Sequence, residues 1–253
     1  MAGSFHSFLI NDLFGDPGLY VSLAWERRAL LFDLGDVHRL PAGRLLKVSD
    51  VFVSHAHIDH FVGFDHLLRV LLGRPRALRL YGPPGFIEQV GGKLRGYTWN
   101  LVDAYALVVE AAEVHPGSLR RARFACAEGF LRRDGPSQEI ADGVILEEPL
   151  FRVRARPLDH QIPCLGFALE ETMRLNVDRA RLDALGLPVG PWLMDVKRQV
   201  RTGAPDETPV RIAWTSGGER RERTILLGVL RREVVRAGRG QKLRKRFQGM
   251  GHG

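Results

Sequence analysis

Val51-Phe52-Val53-Ser54-His55-Ala56-His57-Ile58-Asp59-His60 decides how this chain is read. An apolar run is followed at once by His-Ala-His-Ile-Asp-His. Four potential metal ligands, His55, His57, Asp59 and His60, fall within six positions. Imidazole nitrogens and a carboxylate oxygen suit Zn²⁺ or a similar divalent ion. A strand ending at Val53 delivers the cluster to its C-terminal edge, where open α/β sheets carry their sites. In an extended segment side chains alternate, so His55, His57 and Asp59 are expected to point one way and His60 another. That pattern predicts two metals, one on His55 and His57, the other on Asp59 and His60.

Outward from the cluster, strand and helix patterns alternate. Leu19 to Leu23 and Arg28 to Leu34 read as a hairpin, and Asp50 to Val53 as the next strand. Gly63 to Leu72 has helical spacing, with Phe64, Leu67, Leu68 and Leu71 on one face. Ala77 to Tyr81 reads as a strand and Phe86 to Leu94 as a helix opened by Pro84-Gly85. Leu101 to Ala112 divides between a short helix and a strand from Ala106, and polar Arg132 to Gly143 reads as a loop. Further strands are expected at Ala122 to Cys126, Val144 to Leu146, Phe151 to Pro157 and Leu165 to Glu170. Helices follow at Val177 to Leu185 and Trp192 to Arg201, then a hairpin at Val210 to Trp214 and Arg223 to Leu227. Strands followed by helices and then more strands predict an α/β (α+β) layered fold.

With 253 residues, 45% of them apolar, the chain can build one sizeable core or two small ones. No run approaches the ~20 apolar residues that span a bilayer, and Met1 to Gly15 lacks a secretory pattern. A cytoplasmic protein with no membrane association is expected. Cys126 and Cys164 read as reduced, partly buried thiols. The net charge of +8 is local: from Thr215 onward there are 11 Lys and Arg against 3 acids, and the remainder is neutral. Strong nucleic-acid binding is therefore not written into the body of the chain.

The cluster resembles the His-x-His-x-Asp-His signature of the metallo-β-lactamase fold, and within it the ribonuclease Z family of tRNA 3′-processing endonucleases. Leu31 to Asp36, Leu80 to Pro83 and Leu187 to Pro191 resemble other family segments. The most specific is Leu158-Asp159-His160-Gln161-Ile162-Pro163-Cys164-Leu165-Gly166-Phe167. The resemblance runs from about residue 8 to 242 and implies an αββα sandwich. It implies that His55, His57 and His160 hold one Zn²⁺, that Asp59 and His60 begin a second site, and that Asp59 is the general base. The implied reaction is metal-assisted phosphodiester hydrolysis of a tRNA precursor. His115, in Val114-His115-Pro116-Gly117, competes for the third-ligand role and reads instead as a turn histidine.

The resemblance also implies a later aspartate at the end of an apolar strand and a late histidine. After His160 the only histidine is His252, and no aspartate ends an apolar strand. The expectation is a truncated second half, with a domain over 1–242 and a basic, Gly-rich tail over 243–253 that is not a strand. One firm Zn²⁺ is expected, with a poorly held second ion, and with low stability, aggregation or pairing into a homodimer. Such a chain could lack activity. Two other functions stay open: hydrolysis of a small ester, thioester or cyclic nucleotide on the same fold, or a non-catalytic remnant that binds RNA or a partner.

Overall fold

The computed structural model describes residues 4–24, 26–172, 174–238 and 242–245. The chain divides into two compact units, one of residues 1–146, 153–169 and 243–253, the other of 147–152 and 170–242.

The first unit is built on a nine-stranded sheet. Its strands are β1 (Phe5–Leu9), β2 (Leu19–Leu23), β3 (Ala29–Phe32), β4 (Val48–Phe52), β5 (Ala77–Gly82), β6 (Val108–His115), β7 (Ser118–Ala125), β8 (Arg132–Asp134) and β9 (Gln138–Glu139). They lie in sequence order from β1 to β8, with β9 also on β7. The centre, β3 to β6, is parallel, and the flanks are antiparallel hairpins. Parallel neighbours need crossovers. Four helices occupy these connections: α1 (Ala42–Leu45), α2 (Ile58–Phe61), α3 (Phe64–Leu71) and α4 (Phe86–Arg95).

Alternation along the strands assigns the two faces. Leu31, Val51, Val53, Leu80 and Val109 join Phe64, Leu67, Leu71, Phe86 and Val90 in one core, so α3 and α4 cover that face. The next residues along the strands point the other way. Phe32, Phe52 and Tyr81 are cross-strand neighbours whose rings stack in a row at 4.8 and 5.0 Å. Phe167 packs on that row, its ring 6.0 Å from Phe32 and 5.7 Å from Phe52. It comes from a second sheet, ordered β10 (Val144–Glu147), β11 (Phe151–Leu158), β12 (Cys164–Glu171) and β17 (Lys242–Lys245). Helices, sheet and second sheet thus form three successive layers, in agreement with the expected mixed α/β class.

The second unit has its own core. Two-stranded ladders join β13 (Arg174–Val177) to β16 (Val235–Gly238) and β14 (Pro209–Ser216) to β15 (Glu219–Leu226). Helices α5 (Arg179–Ala184), α6 (Trp192–Arg201) and α7 (Leu227–Glu233) pack with them through Leu182, Trp192, Val196, Ile212 and Leu230. No described helix is long and apolar enough to cross a membrane.

Several local expectations change. The extended reading of the cluster fails after His57, because Ile58–Phe61 turns into α2. Leu101 to Ala106 forms no helix, and Arg132–Asp134 and Gln138–Glu139 add two short strands where a loop was expected. β1 was not foreseen, since its single buried residue, Phe5, gives no alternation to read. Lys242–Lys245 is a strand beside β12, so the reading of this basic stretch as non-strand is corrected. Backbone pairing overrides composition there. His252 lies outside the described residues.

Candidate metal centre

The site assembles where β3 and β4 end side by side. Asp33 follows β3, and its backbone N–H donates to the Phe52 carbonyl at 2.8 Å, so the two strand ends are locked in register. Asp33 is fully buried and has φ 60°, a left-handed conformation that turns the chain sharply. Its Oδ1 accepts the Ser54 N–H at 2.7 Å, and its Oδ2 lies 3.2 Å from Nδ1 of His60. One buried carboxylate therefore ties together the end of β3, the start of the cluster and α2.

Helix α2 is set down on the turn after β3. Leu34 N–H donates to the His60 carbonyl and Gly63 N–H to the Leu34 carbonyl, both at 2.9 Å. The contact is so close that only glycine fits. A Cβ at Gly35 would lie 2.5 Å from the Asp59 carbonyl oxygen, and one at Gly63 would lie 2.1 Å from the Gly35 carbonyl oxygen.

Around this frame the imidazoles converge. Ser54 Oγ lies 3.1 Å from Nδ1 of both His55 and His60. His55 Nε2 lies 3.2 Å from His57 Nδ1. The His55 ring centroid is 4.0 Å from that of His60 and 4.9 Å from that of His160. His160 arrives on the turn between β11 and β12, where Gln161 has φ 54° and the Leu165 N–H donates to the Ser54 carbonyl at 2.9 Å. The ligand atoms of His55, His57 and His160 all lie within 4.8 Å of one another. His55 is buried, whereas His57 and His160 are exposed.

The donor set fits a metal ion. Two nitrogens on one tetrahedral Zn²⁺ at about 2.0–2.1 Å lie about 3.3 Å apart, close to the 3.2 Å between His55 and His57. Burial, and then the neighbouring His60 and His57 rings, press the His55 pKa down to about 4. His55 is thus neutral at physiological pH, with a lone pair available for coordination. Asp33 and Ser54 engage Nδ1 of His60, and its Nε2 faces Asp59 Oδ2 at 3.5 Å. Cys164 Sγ lies 3.9 Å from His55 Nδ1, but burial pushes the thiol pKa up, away from the thiolate that metals bind.

Of the residues singled out from sequence, His55, His57 and His160 come together, and Asp59 and His60 stand beside them on α2. His115 is held elsewhere, its Nε2 being 3.1 Å from Glu113 Oε2, and it is not among the grouped ligands. Sequence reasoning gave Asp33 no role. An aspartate closing an apolar strand before Leu-Gly was the available signal, since such a carboxylate must be buried and must find donors.

No protein-family model matches the chain. The ribonuclease Z of Deinococcus radiodurans is 37% identical over 207 residues, covering 81% of this chain and 59% of that protein. Over four-fifths of its length, this chain is similar to that ribonuclease Z. A second ribonuclease Z, from Methanosarcina acetivorans, is 29% identical over 79% of this chain and 58% of that protein. The chain thus spans a little under three-fifths of the length of these curated relatives. Among solved structures it is similar to human tRNase Z, short form, with a TM-score of 0.42, 20% identity and coverage of 67% of this chain and 62% of that one. It is also similar to the metallo-beta-lactamase fold protein YhfI from Bacillus subtilis, with a TM-score of 0.38, 18% identity and coverage of 66% and 54%.

Proposed function

We propose that this chain is a zinc-dependent phosphodiester hydrolase that cleaves precursor tRNA at the 3′ trailer, in the cytoplasm where those precursors are made. The observation that carries the reading is the convergence of three imidazoles, His55, His57 and His160, on one point in a chain similar to ribonuclease Z.

His55, His57 and His160 would hold a Zn²⁺, and Asp59 and His60 would contribute to a second ion. Zinc bound there would supply Lewis acidity toward a phosphoryl oxygen and offset the charge that builds up during displacement. The protein's own groups divide the remaining work. Buried His55 anchors the cluster, and exposed His57 and His160 open it to a large substrate. Asp59, half-exposed on the solvent side of His60, accepts the proton released by the attacking water. Asp33 and Ser54 hold His60 in one orientation and one tautomer. The products are an RNA with a 3′-hydroxyl and a trailer with a 5′-phosphate.

A precursor tRNA with a 3′ trailer, incubated with the protein and Zn²⁺, should be cut once near the end of the acceptor stem. Bis(p-nitrophenyl) phosphate serves as the comparison. Hydrolysis of that small diester with the RNA left intact would replace this reading by that of a small-molecule hydrolase.

A further inference from the structure

The loop between β1 and β2, residues 11–18, is held firmly yet presents apolar side chains to water. Asn11 Nδ2 donates to the carbonyls of Asp16 at 3.1 Å and Asp36 at 2.6 Å. Asp16 Oδ2 accepts the Asp36 N–H at 3.1 Å, and the Gly35 N–H donates to Pro17 at 3.1 Å. Arg39 pairs with Asp12 at 3.0 Å. On this braced loop Phe14 is 92% exposed, the highest value among the described large apolar residues, and Leu13 beside it is exposed too. Burying a phenylalanine contributes roughly 2–3 kcal/mol to folding. A rigid loop that leaves the ring in water forgoes that contribution.

The position of the loop gives the exposure a meaning. A Cβ at Gly35 would touch the Asp16 side chain at 2.6 Å and the Asp59 carbonyl oxygen at 2.5 Å. The loop therefore abuts the backbone of Asp59 at Asp16, and Phe14 is two residues away, no more than about 7 Å along the chain. Ile58, between His57 and Asp59, is 80% exposed, and Ile162, two residues after His160, is also exposed. Exposed apolar side chains thus stand next in the chain to His57 and Asp59 and two residues after His160. A small ester or thioester would be gripped by an enclosed, concave site. Open aromatic surface beside a phosphodiester-binding centre suits a nucleobase, whose flat face stacks on a ring whatever its sequence.

We propose that Phe14 is a stacking platform for a nucleobase next to the scissile phosphate. The proposal rests on the phosphodiesterase reading and names the part of the substrate that Phe14 recognises. Stacking on an aromatic ring positions the strand and selects for unpaired nucleotides, because a base within a duplex has no face to offer.

The test is equilibrium binding, measured by fluorescence anisotropy of a labelled RNA that carries an unpaired 3′ trailer, with the purified full chain and no turnover required. Phe14→Ala should weaken binding roughly tenfold, and Phe14→Tyr should bind like the wild type. With an abasic nucleotide beside the cleavage position, wild type and Phe14→Ala should bind equally. Circular dichroism serves as the folding control, and it should be unchanged for a side chain so exposed. Phe14→Ala binding intact RNA as well as wild type, or losing equally on intact and abasic RNA, overturns the platform and leaves the phosphodiesterase reading standing. Wild-type protein that binds no RNA overturns both.

Discussion

Asp33 and His60 meet through Oδ2 and Nδ1 at 3.2 Å, in a place where the carboxylate has no exposure to solvent. The same carboxylate accepts the Ser54 N–H at 2.7 Å. Asp33 thus acts as a bracket between two strand ends and helix α2. Its negative charge is tolerated because both oxygens are engaged.

Replacing Asp33 separates its two tasks. Asp33→Ala leaves the buried Ser54 N–H without its acceptor and should cost about 1–3 kcal/mol in chemical denaturation. Asp33→Asn keeps an acceptor but not the charge beside His60, so the stability loss should be smaller. Zinc affinity should still fall about 10–100-fold in a chelator competition titration. Unchanged affinity in both variants would remove Asp33 from the metal centre.

The three-imidazole group predicts a stoichiometry. Purified protein, dialysed and analysed for metal, should hold one tightly bound zinc per chain, because the described residues supply one such group. His55→Ala and His160→Ala should each abolish retention, and His115→Ala, whose ring is engaged by Glu113, should not. Full retention in His160→Ala would take that residue out of the ligand set.

Acid should loosen the metal-free protein through His55. Its pKa is about 4 when folded, lowered first by burial, against about 6.5 for an unperturbed imidazole. Between those values the unfolded chain binds a proton that the folded chain does not, so stability rises with pH across this window. The contribution is fully present above about pH 6.5 and is lost as the pH falls to about 4. Thermal unfolding in chelator should show Tm declining from pH 7 to pH 4, with a shallower decline in His55→Gln. Parallel slopes for the two proteins would contradict the assignment.

Steric closeness at the α2 junction is open to a direct check. Gly63→Ala places a methyl group 2.1 Å from the Gly35 carbonyl oxygen, so the backbone must move. Overpacking of this kind costs about 1–3 kcal/mol. The displacement also carries Asp59 and His60 away from His55, so zinc affinity should drop together with Tm. Gly43→Ala meets nothing within 4 Å and is the control.

Much of the centre was legible because its donors lie in one short run after an apolar strand. Period-2 and period-3.6 patterns placed β2 to β5, α3 and α4 to within a few residues. Asp59 and His60 were expected on an extended segment and lie instead on α2. Whether Ile58–Phe61 extends or coils depends on Leu34 and Gly63, whose backbone bonds to α2 leave no mark in the local pattern. The pairing of Lys242–Lys245 with β12 is likewise a choice made by a neighbouring strand.

The sequence by itself determined the chemistry: which atoms could bind a metal, that they follow an apolar strand, and that alternating strands and helices would form layers. Residue type and spacing are local properties, so one dimension suffices to state them. That His160, one hundred residues after His60, joins His55 was implied by resemblance, and its ring does lie 4.9 Å from that of His55; tertiary structure alone decided that a buried Asp33 braces the whole. It also decided that Phe14 stands in water on a loop whose Asp16 approaches the backbone of Asp59 at Gly35. Those relations exist only once distant segments are packed together, because burial and contact belong to the folded assembly and not to any stretch of chain.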